Sequence, residues 1–422
     1  MKTTTMLTAV AAIAVVAATA SCRKMTVDQE EMKKIVEGTF PIDTVDSRHD
    51  WNLVQQMMVA VKADVPGEDY IDKVQILNGN PYTTAGTEVM AEKFTQSGNR
   101  VTLNFEMPLK TSDFWVAAIN RQGRYFVMPS NGQDEFSFAD GDYQSSGTLR
   151  QPTPQAFTYL FEENFPLPGD FDFNDVVLRI SKESPSANIL KLHVTLAAVG
   201  ADKMIGAAIR LHGINYDDVT VTIDEGKRFD EDYPVNRYFI NNDEICSKAM
   251  DGSAVINLFD DAHWVLNPTE NNGRIVRMHY NTTKYQKENE SATVPTQTRT
   301  YTIASNDGKD ISFLTLSSID PFIIENYNSI NMEVHTYKYK YTQVLWQFTT
   351  GQDMQNDDHV SWALLMPVST FRYPVEGIPI GRYRNGEIFG AYSRFNHSFG
   401  QWGRNRNTSQ DWWQYPTDAQ VY

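Results

Sequence analysis

Cysteine is nearly absent. Cys22 and Cys246 are the only two in 422 residues, so stability does not come from a disulfide framework. Positive charge is scarce too, with 37 Lys and Arg against 53 Asp and Glu and a formal net charge of -16. Surfaces that grip nucleic acid or anionic lipid need the opposite balance, so no nucleic-acid partner is expected and cations are favoured. Past the N-terminal leader no long apolar run occurs, and the mean hydropathy of -0.44 excludes a bundle of membrane helices. Also missing are H-E-x-x-H, G-x-S-x-G, a P-loop and G-x-G-x-x-G, the anchors of the common zinc, serine, nucleotide and dinucleotide chemistries. The eight histidines are scattered, and no pair stands at ligand spacing on one element. The adjacent carboxylates Asp260-Asp261 and Asp357-Asp358 could supply the carboxylate pair of glycoside hydrolysis, but so acidic a chain throws up such pairs by chance. A non-catalytic protein is expected.

What is present begins with a leader. Lys2, the apolar run Leu7–Ala18 and the small residues Thr19-Ala20-Ser21 ahead of Cys22 read as an export signal over residues 1–21. Small residues directly before a cysteine suggest the lipoprotein form, in which the Cys22 thiol is lipidated and becomes the new N-terminus. Each buried acyl methylene then contributes about 0.8 kcal/mol to anchoring in the membrane. Ordinary secretion is the alternative. Cys246 is left without a partner and is expected as a small buried residue. Residues 22–50 read as a tether: a short helix in Met25–Gly38, with acids early and Lys33-Lys34 late, followed by a polar linker from Phe40 to Trp51.

From Trp51, runs such as MMVAVKADV, KVQILNG, RVTLNFEMP and RYFVMP alternate with turns every ten to fifteen residues. This is the rhythm of a β-sandwich, placed at 51–147 and closed by the polar stretch DGDYQSSG. The remainder, 148–422, reads as a larger antiparallel β-sandwich of jelly-roll-like character, giving an all-β chain. Asn271-Asn272-Gly273 predicts a tight hairpin turn. In Met332–Phe348 the alternation of Tyr337, Tyr339 and Tyr341 with Lys338 and Lys340 predicts a strand with tyrosines inward. His193 and His212, inside apolar runs, are expected as satisfied core residues. The cluster Phe395, Phe399, Trp402, Trp412, Trp413 and Tyr415 is expected to close the end of the sandwich rather than to stack on sugars.

The densest chemistry lies in FTYLFEENFPLPGDFDFNDVVLRI, residues 157–180. Glu162, Glu163, Asp170, Asp172 and Asp175 gather there with Asn164 and Asn174, and the first basic residue after them is Arg179. Two such charges ~4 Å apart repel by about 4 kcal/mol at an effective dielectric near 20. Protons, solvent or a cation must relieve them. A hard ion such as Ca2+, which takes oxygens from carboxylates, amides and carbonyls, suits the inventory. Asp170, Asp172, Asn174 and Asp175 are the first candidates as ligands, with Glu162 and Glu163 as contributors from the preceding strand. It is not an EF-hand, whose sixth position would be Gly and is Asp175, and whose twelfth would be Glu and is Ser181. Phe171 and Phe173 suggest extended backbone, with a loop through Asp175 and a strand from Val176. The alternative is a solvated turn whose Asp and Asn side chains cap their own backbone.

The segment F-E-E, a short Pro/Gly stretch and G-D-F-D-F-N-D-V-V resembles the opening motif of the LruC-type domain of exported bacterial proteins, notably lipoproteins of the Bacteroides group. Its closing motif is matched by Trp362, Ala363, Pro367, Phe371, Tyr373, Pro374 and Glu376, then Ala391, Tyr392 and Phe395, then Asp411, Trp412 and Trp413. The resemblance spans about residues 150–418. It departs from the usual pattern at Glu163, where Asp is commoner, and at Trp413, where Tyr is expected. It implies an exported, mostly β domain of unsettled role. Together these readings describe an outer-membrane lipoprotein at the cell surface, or alternatively facing the periplasm, with a calcium-stabilised loop and a binding or adhesive role toward a glycan or envelope partner. A structural subunit of a surface appendage is the alternative, and a glycan-degrading enzyme a more distant one.

Overall fold

The computed structural model describes residues 29–234, 238–240, 244–327, 329–346 and 359–422. The leader, Cys22 and Asp357-Asp358 lie outside them. Helix α1 (Gln29–Thr39) leads into a first pair of sheets. In β1 (Val54–Lys62) Val59 and Val61 point inward while Met58 stays exposed, the period-two pattern of a half-buried strand. Strands β2 (Ile71–Leu77), β3 (Glu88–Phe94), β4 (Arg100–Pro108), β5 (Trp115–Asn120), β6 (Tyr125–Pro129) and β7 (Glu135–Ser137) follow, then the short β8 (Thr153–Pro154). They form a sheet ordered β4-β1-β7 and another ordered β6-β5-β2-β3-β8. Val59, Val74, Ile76, Leu103, Phe105, Val116 and Phe126 fill the space between.

The second pair is larger. One sheet contains β9 (Ala156–Phe161), β10 (Val176–Ser186), β11 (Ile189–Ala198), β13 (Val219–Ile223), β16 (Gln297–Ser305) and β19 (Ala363–Met366), in the order β13-β16-β11-β10-β9-β19. The other contains β12 (Gly206–Asn215), β14 (Cys246–Lys248), β15 (Ser253–Phe259), β17 (Ile319–Tyr327) and β18 (Ile330–Val334), in the order β14-β15-β12-β17-β18. Every pairing in both sheets is antiparallel. Leu178, Leu192 and Ile303 from the first meet Ile209, Ile256 and Ile323 from the second in one core. The chain is therefore all-β and built of sandwiches. The hairpin predicted at Asn272-Gly273 is present as a two-residue loop between Asn271 and Arg274, both loop residues taking the positive φ such turns require.

The stretch expected as a free linker is packed instead. Phe40, Ile42 and Trp51 are buried in the larger core, not the smaller one. Pro41 O and Asp43 N hydrogen-bond the backbone of Tyr383, and Trp51 stacks on Phe399 at 5.5 Å and meets Trp402 edge-on at 5.4 Å. Phe40 meets Phe171 edge-on at 5.0 Å, and Trp51 finds its ring partners Phe399 and Trp402 at the far end of the chain. Trp412 is fully buried against Phe399 and Tyr392 and Trp413 is half-buried, so this part of the cluster packs into the larger core, whereas Phe395 is exposed.

The tyrosine-rich strand does not form. β18 stops at Val334, and Tyr337–Tyr339 make one 3₁₀ turn that leaves Lys340 buried, with its ammonium donating to Val360 O. The cause lies at Glu333. Its buried carboxylate accepts the N–H groups of Val344, Leu345 and Trp346, which folds the chain back before a strand can extend. His212 is exposed and His193 half-buried against Thr300 and Glu183, so both lie on outer faces rather than in the core. Cys246 is a free thiol, half-buried, and burial pushes it up to about 11.

Candidate metal centre

Strand pairing makes the site. Val176 opens β10 opposite Phe161, the last residue of β9, so Asp175 and Glu162 face each other where the two strands part. The strand therefore begins where the sequence placed it, but the loop before it is not extended. Phe171 and Phe173 both have left-handed backbone, φ 59° and 56°, a conformation that is uncommon for bulky residues. This reversal sends both phenyl rings into the core while turning both N–H groups onto one carboxylate. Phe171 N donates to Glu162 Oε1 at 2.7 Å and Phe173 N to Oε2 at 2.9 Å.

Around that anchored glutamate the acids converge. One oxygen from each of Glu162, Asp170 and Asp172 lies within 4.8 Å of the others. Glu162 and Asp172 are fully buried, while Asp170 opens to solvent. Asp172 accepts from Asn174 N (3.1 Å) and Gly377 N (2.8 Å), and Asp175 accepts from Glu163 N (2.5 Å). The fully buried Asn174 donates its amide to Pro374 O at 3.1 Å, which leaves its Oδ1 buried with no hydrogen-bond partner. That oxygen points past Gly200 toward Glu376: a Cβ on Gly200 would fall 1.9 Å from Asn174 Oδ1 and 2.8 Å from Glu376 Oε2. Gly169 is constrained in the same way, since a Cβ there would lie 2.1 Å from Glu162 Oε1.

Burial is the main force on these acids. It drives Glu162, Asp172 and Asp175 well above the ordinary carboxylate range, and their mutual repulsion with Asp170 adds to the shift. Glu376 is pushed up to about 7 by burial, against the pull of His279 and with the repulsion of Asp170. Its Oε2 accepts from Thr282 at 3.2 Å and lies 3.5 Å from His279 Nδ1. Buried carboxylates in this number must carry protons or share a cation. The cluster has the makings of a metal site, and its donors are all oxygens, the kind a hard divalent ion takes.

Two placements differ from the expected ligand set. Glu163 turns aside: its Oε2 accepts from Lys203 N at 3.3 Å, and the Lys203 ammonium binds Asn164 and the buried Glu325. The loop thus has a cationic neighbour that its own sequence does not show, although it serves Glu163, Asn164 and Glu325. Conversely, Glu376 joins the acids from 201 residues beyond Asp175 in the chain. Its only trace in the sequence is its place in the Y-P-V-E run of the closing motif. Asp260 and Asp261 play other parts. Asp260 collects the N–H groups of Tyr238, Phe239 and Ile240, and Asp261 caps the short helix α2 (Ala262–Leu266) and pairs with Arg277.

A family profile described as "Domain of unknown function (DUF4842)" matches residues 188–413, a span that takes in Gly200, His279 and Glu376 but starts after the acidic loop. Among solved structures, the chain is similar to a crystal structure of a protein described as a putative lipoprotein from Bacteroides ovatus. The two are 16% identical with a TM-score of 0.39, over 88% of this chain and 93% of that one. No curated protein matches the sequence.

Proposed function

The chain belongs to the DUF4842 family, whose description assigns no activity, and we propose that it is a non-catalytic lipoprotein of the cell envelope whose acidic cluster holds Ca2+. In this reading the leader exports the chain, Cys22 carries the lipid, and the protein sits on the outer membrane facing outward. The smaller sandwich at 51–147 and the larger at 148–422 act as two domains, with a binding role toward a glycan or an envelope partner. Asp170, Asp172, Asn174 and Asp175 are the ligands first in line, with Glu162 beside them and Glu376 as an addition.

One observation carries the calcium reading. Asn174 Oδ1 is an acceptor with no donor, buried among carboxylates that have shed water without gaining a countercharge. An unsatisfied buried polar atom costs about 1–3 kcal/mol, and a hard cation would satisfy it together with the acids around it. A bound ion would also tie the mouth of β9 and β10 to the Pro374–Gly377 segment, where Asn174 and Asp172 already make hydrogen bonds. A non-catalytic role is supported by the bracing parts played by Asp260, Asp261 and His263.

Thermal melting of the chain in CaCl2 and in EDTA tests the proposal. Calcium should raise the transition temperature, and the double variant Asp170→Ala, Asp172→Ala should lose that rise. No rise in the native sequence, or an equal rise in the variant, would refute it.

A further inference from the structure

A cavity of about 690 Å³ opens beside the acidic cluster, and Glu376 belongs to both. Such a volume is in the range that holds small-molecule ligands. Charged side chains of its wall are paired: Lys287 with Glu290 (3.1 Å), His279 with Asp202 (3.0 Å), and Arg277 with the buried Asp261, which does not itself line the cavity (2.8 Å). Both signs of charge line it, so the wall selects for neither a strong anion nor a strong cation. Met278, Val375 and Ile378 supply apolar surface. At the rim Tyr285 leaves 89% of its surface exposed, on a loop held by the Lys284 ammonium donating to Asp418 O. An aromatic ring held open at a cavity mouth next to paired polar groups suits a ligand with one apolar face and an edge of hydroxyls.

We infer that this cavity is a carbohydrate site, taking a short neutral saccharide whose C–H face lies on Tyr285 and whose hydroxyls meet the paired charges of the wall. The inference deepens the binding role proposed above, and its link to the ion rests on the calcium reading. Glu376 stands between the two sites, its Oε2 facing His279 of the cavity wall on one side and Asn174 Oδ1 across Gly200 on the other. An ion that takes Glu376 therefore fixes one wall of the cavity, and saccharide binding becomes calcium-dependent without the sugar having to touch the ion.

The test uses the detergent-solubilised full chain on a printed array of neutral mono- and oligosaccharides, in CaCl2 and in EDTA, with Tyr285→Ala and Lys287→Ala beside the native sequence. Both variants alter exposed side chains, and melting in calcium checks that each folds as the native chain does. The expected result is retention of particular saccharides in calcium and weaker retention in EDTA. Tyr285→Ala should weaken it by roughly tenfold, the equivalent of about 1.4 kcal/mol, with an unchanged calcium-induced rise in melting temperature. An array without bound saccharide, alongside an intact calcium rise, overturns the carbohydrate site and leaves the metal centre standing. Saccharides held equally well by both variants also overturn it, since binding then lies elsewhere. Retention that depends on Tyr285 but not on calcium overturns the linkage through Glu376.

Discussion

Asn174 Oδ1 and Glu376 Oε2 both crowd the bare Cα of Gly200, where Asn174 also donates to Pro374 O and so joins the acidic loop to a segment remote from it in sequence. Gly200 N also donates to Asn174 O at 3.0 Å, so the backbone there cannot easily retreat. Gly200→Ala puts a methyl group where Asn174 Oδ1 now lies. Chemical denaturation should show a loss of about 1–3 kcal/mol, the usual range for overpacking, together with a smaller stabilisation by calcium.

The effect of calcium should itself depend on pH. Glu376 is pushed up to about 7, and Glu162, Asp172 and Asp175 are raised as well. A carboxylate whose value is higher in the fold than in the unfolded chain holds its proton in the fold. Its stabilising contribution is complete below the ordinary carboxylate range and is lost as pH rises through the folded value. In EDTA the Glu376 contribution should fade between about pH 4.5 and 7. Calcium replaces the protons, so the gap between melting temperatures in calcium and in EDTA should widen from pH 5 to 8. A gap that narrows over this range contradicts the arrangement.

His335 shows the opposite sign. Burial would lower it, but Asp320 at 3.0 Å and Glu333 at 3.3 Å prevail and hold it up at about 9. The imidazolium stands between Asp320 and Glu333, two carboxylates that are fully buried. Its contribution is present below the ordinary histidine value and is lost as pH climbs through about 9. His335→Gln removes the imidazolium from between both acids and should cost about 3–5 kcal/mol by urea denaturation at pH 7.

His49 should respond to acid. Burial lowers it to about 4; Trp51 N donates to its Nδ1 at 3.0 Å, and its Nε2 meets Trp402 O at 3.1 Å. Its contribution is present above the ordinary histidine value and is lost as pH falls toward 4. Trp51→Ala removes the ring that His49 and Phe399 pack on and should cost about 3–5 kcal/mol. Limited proteolysis should then cut residues 40–50 of this variant faster than those of the native chain. Equal cleavage would mean that the segment is held by other contacts.

Local patterns were legible in the sequence and distant meetings were not. The alternation in β1, the Asn272-Gly273 turn and the start of β10 at Val176 depend on neighbours within a few residues, and each stands where the sequence put it. The acidic loop was visible for its missing bases. That Lys203 would serve Glu163, or that Glu376 would join Asp170, depends on sheet registers that no local pattern encodes. Phe171 and Phe173 misled because alternating aromatic and polar residues suit a strand, whereas here tertiary burial imposes a left-handed loop. The tyrosine run misled in the same way, overruled by the amides gathered at Glu333.

The docking of Trp51 and Phe40 against residues near the other end of the chain bears on how the molecule comes to be made. During N-to-C synthesis these aromatic groups appear early; Phe40 gains a partner in Phe171, but the Trp51 faces that Phe399 and Trp402 cover wait until those residues arrive. Completion of the larger body is therefore deferred to the last stage of biogenesis, and a chain cut short before Phe399 would expose sticky surface at its head as well as its tail.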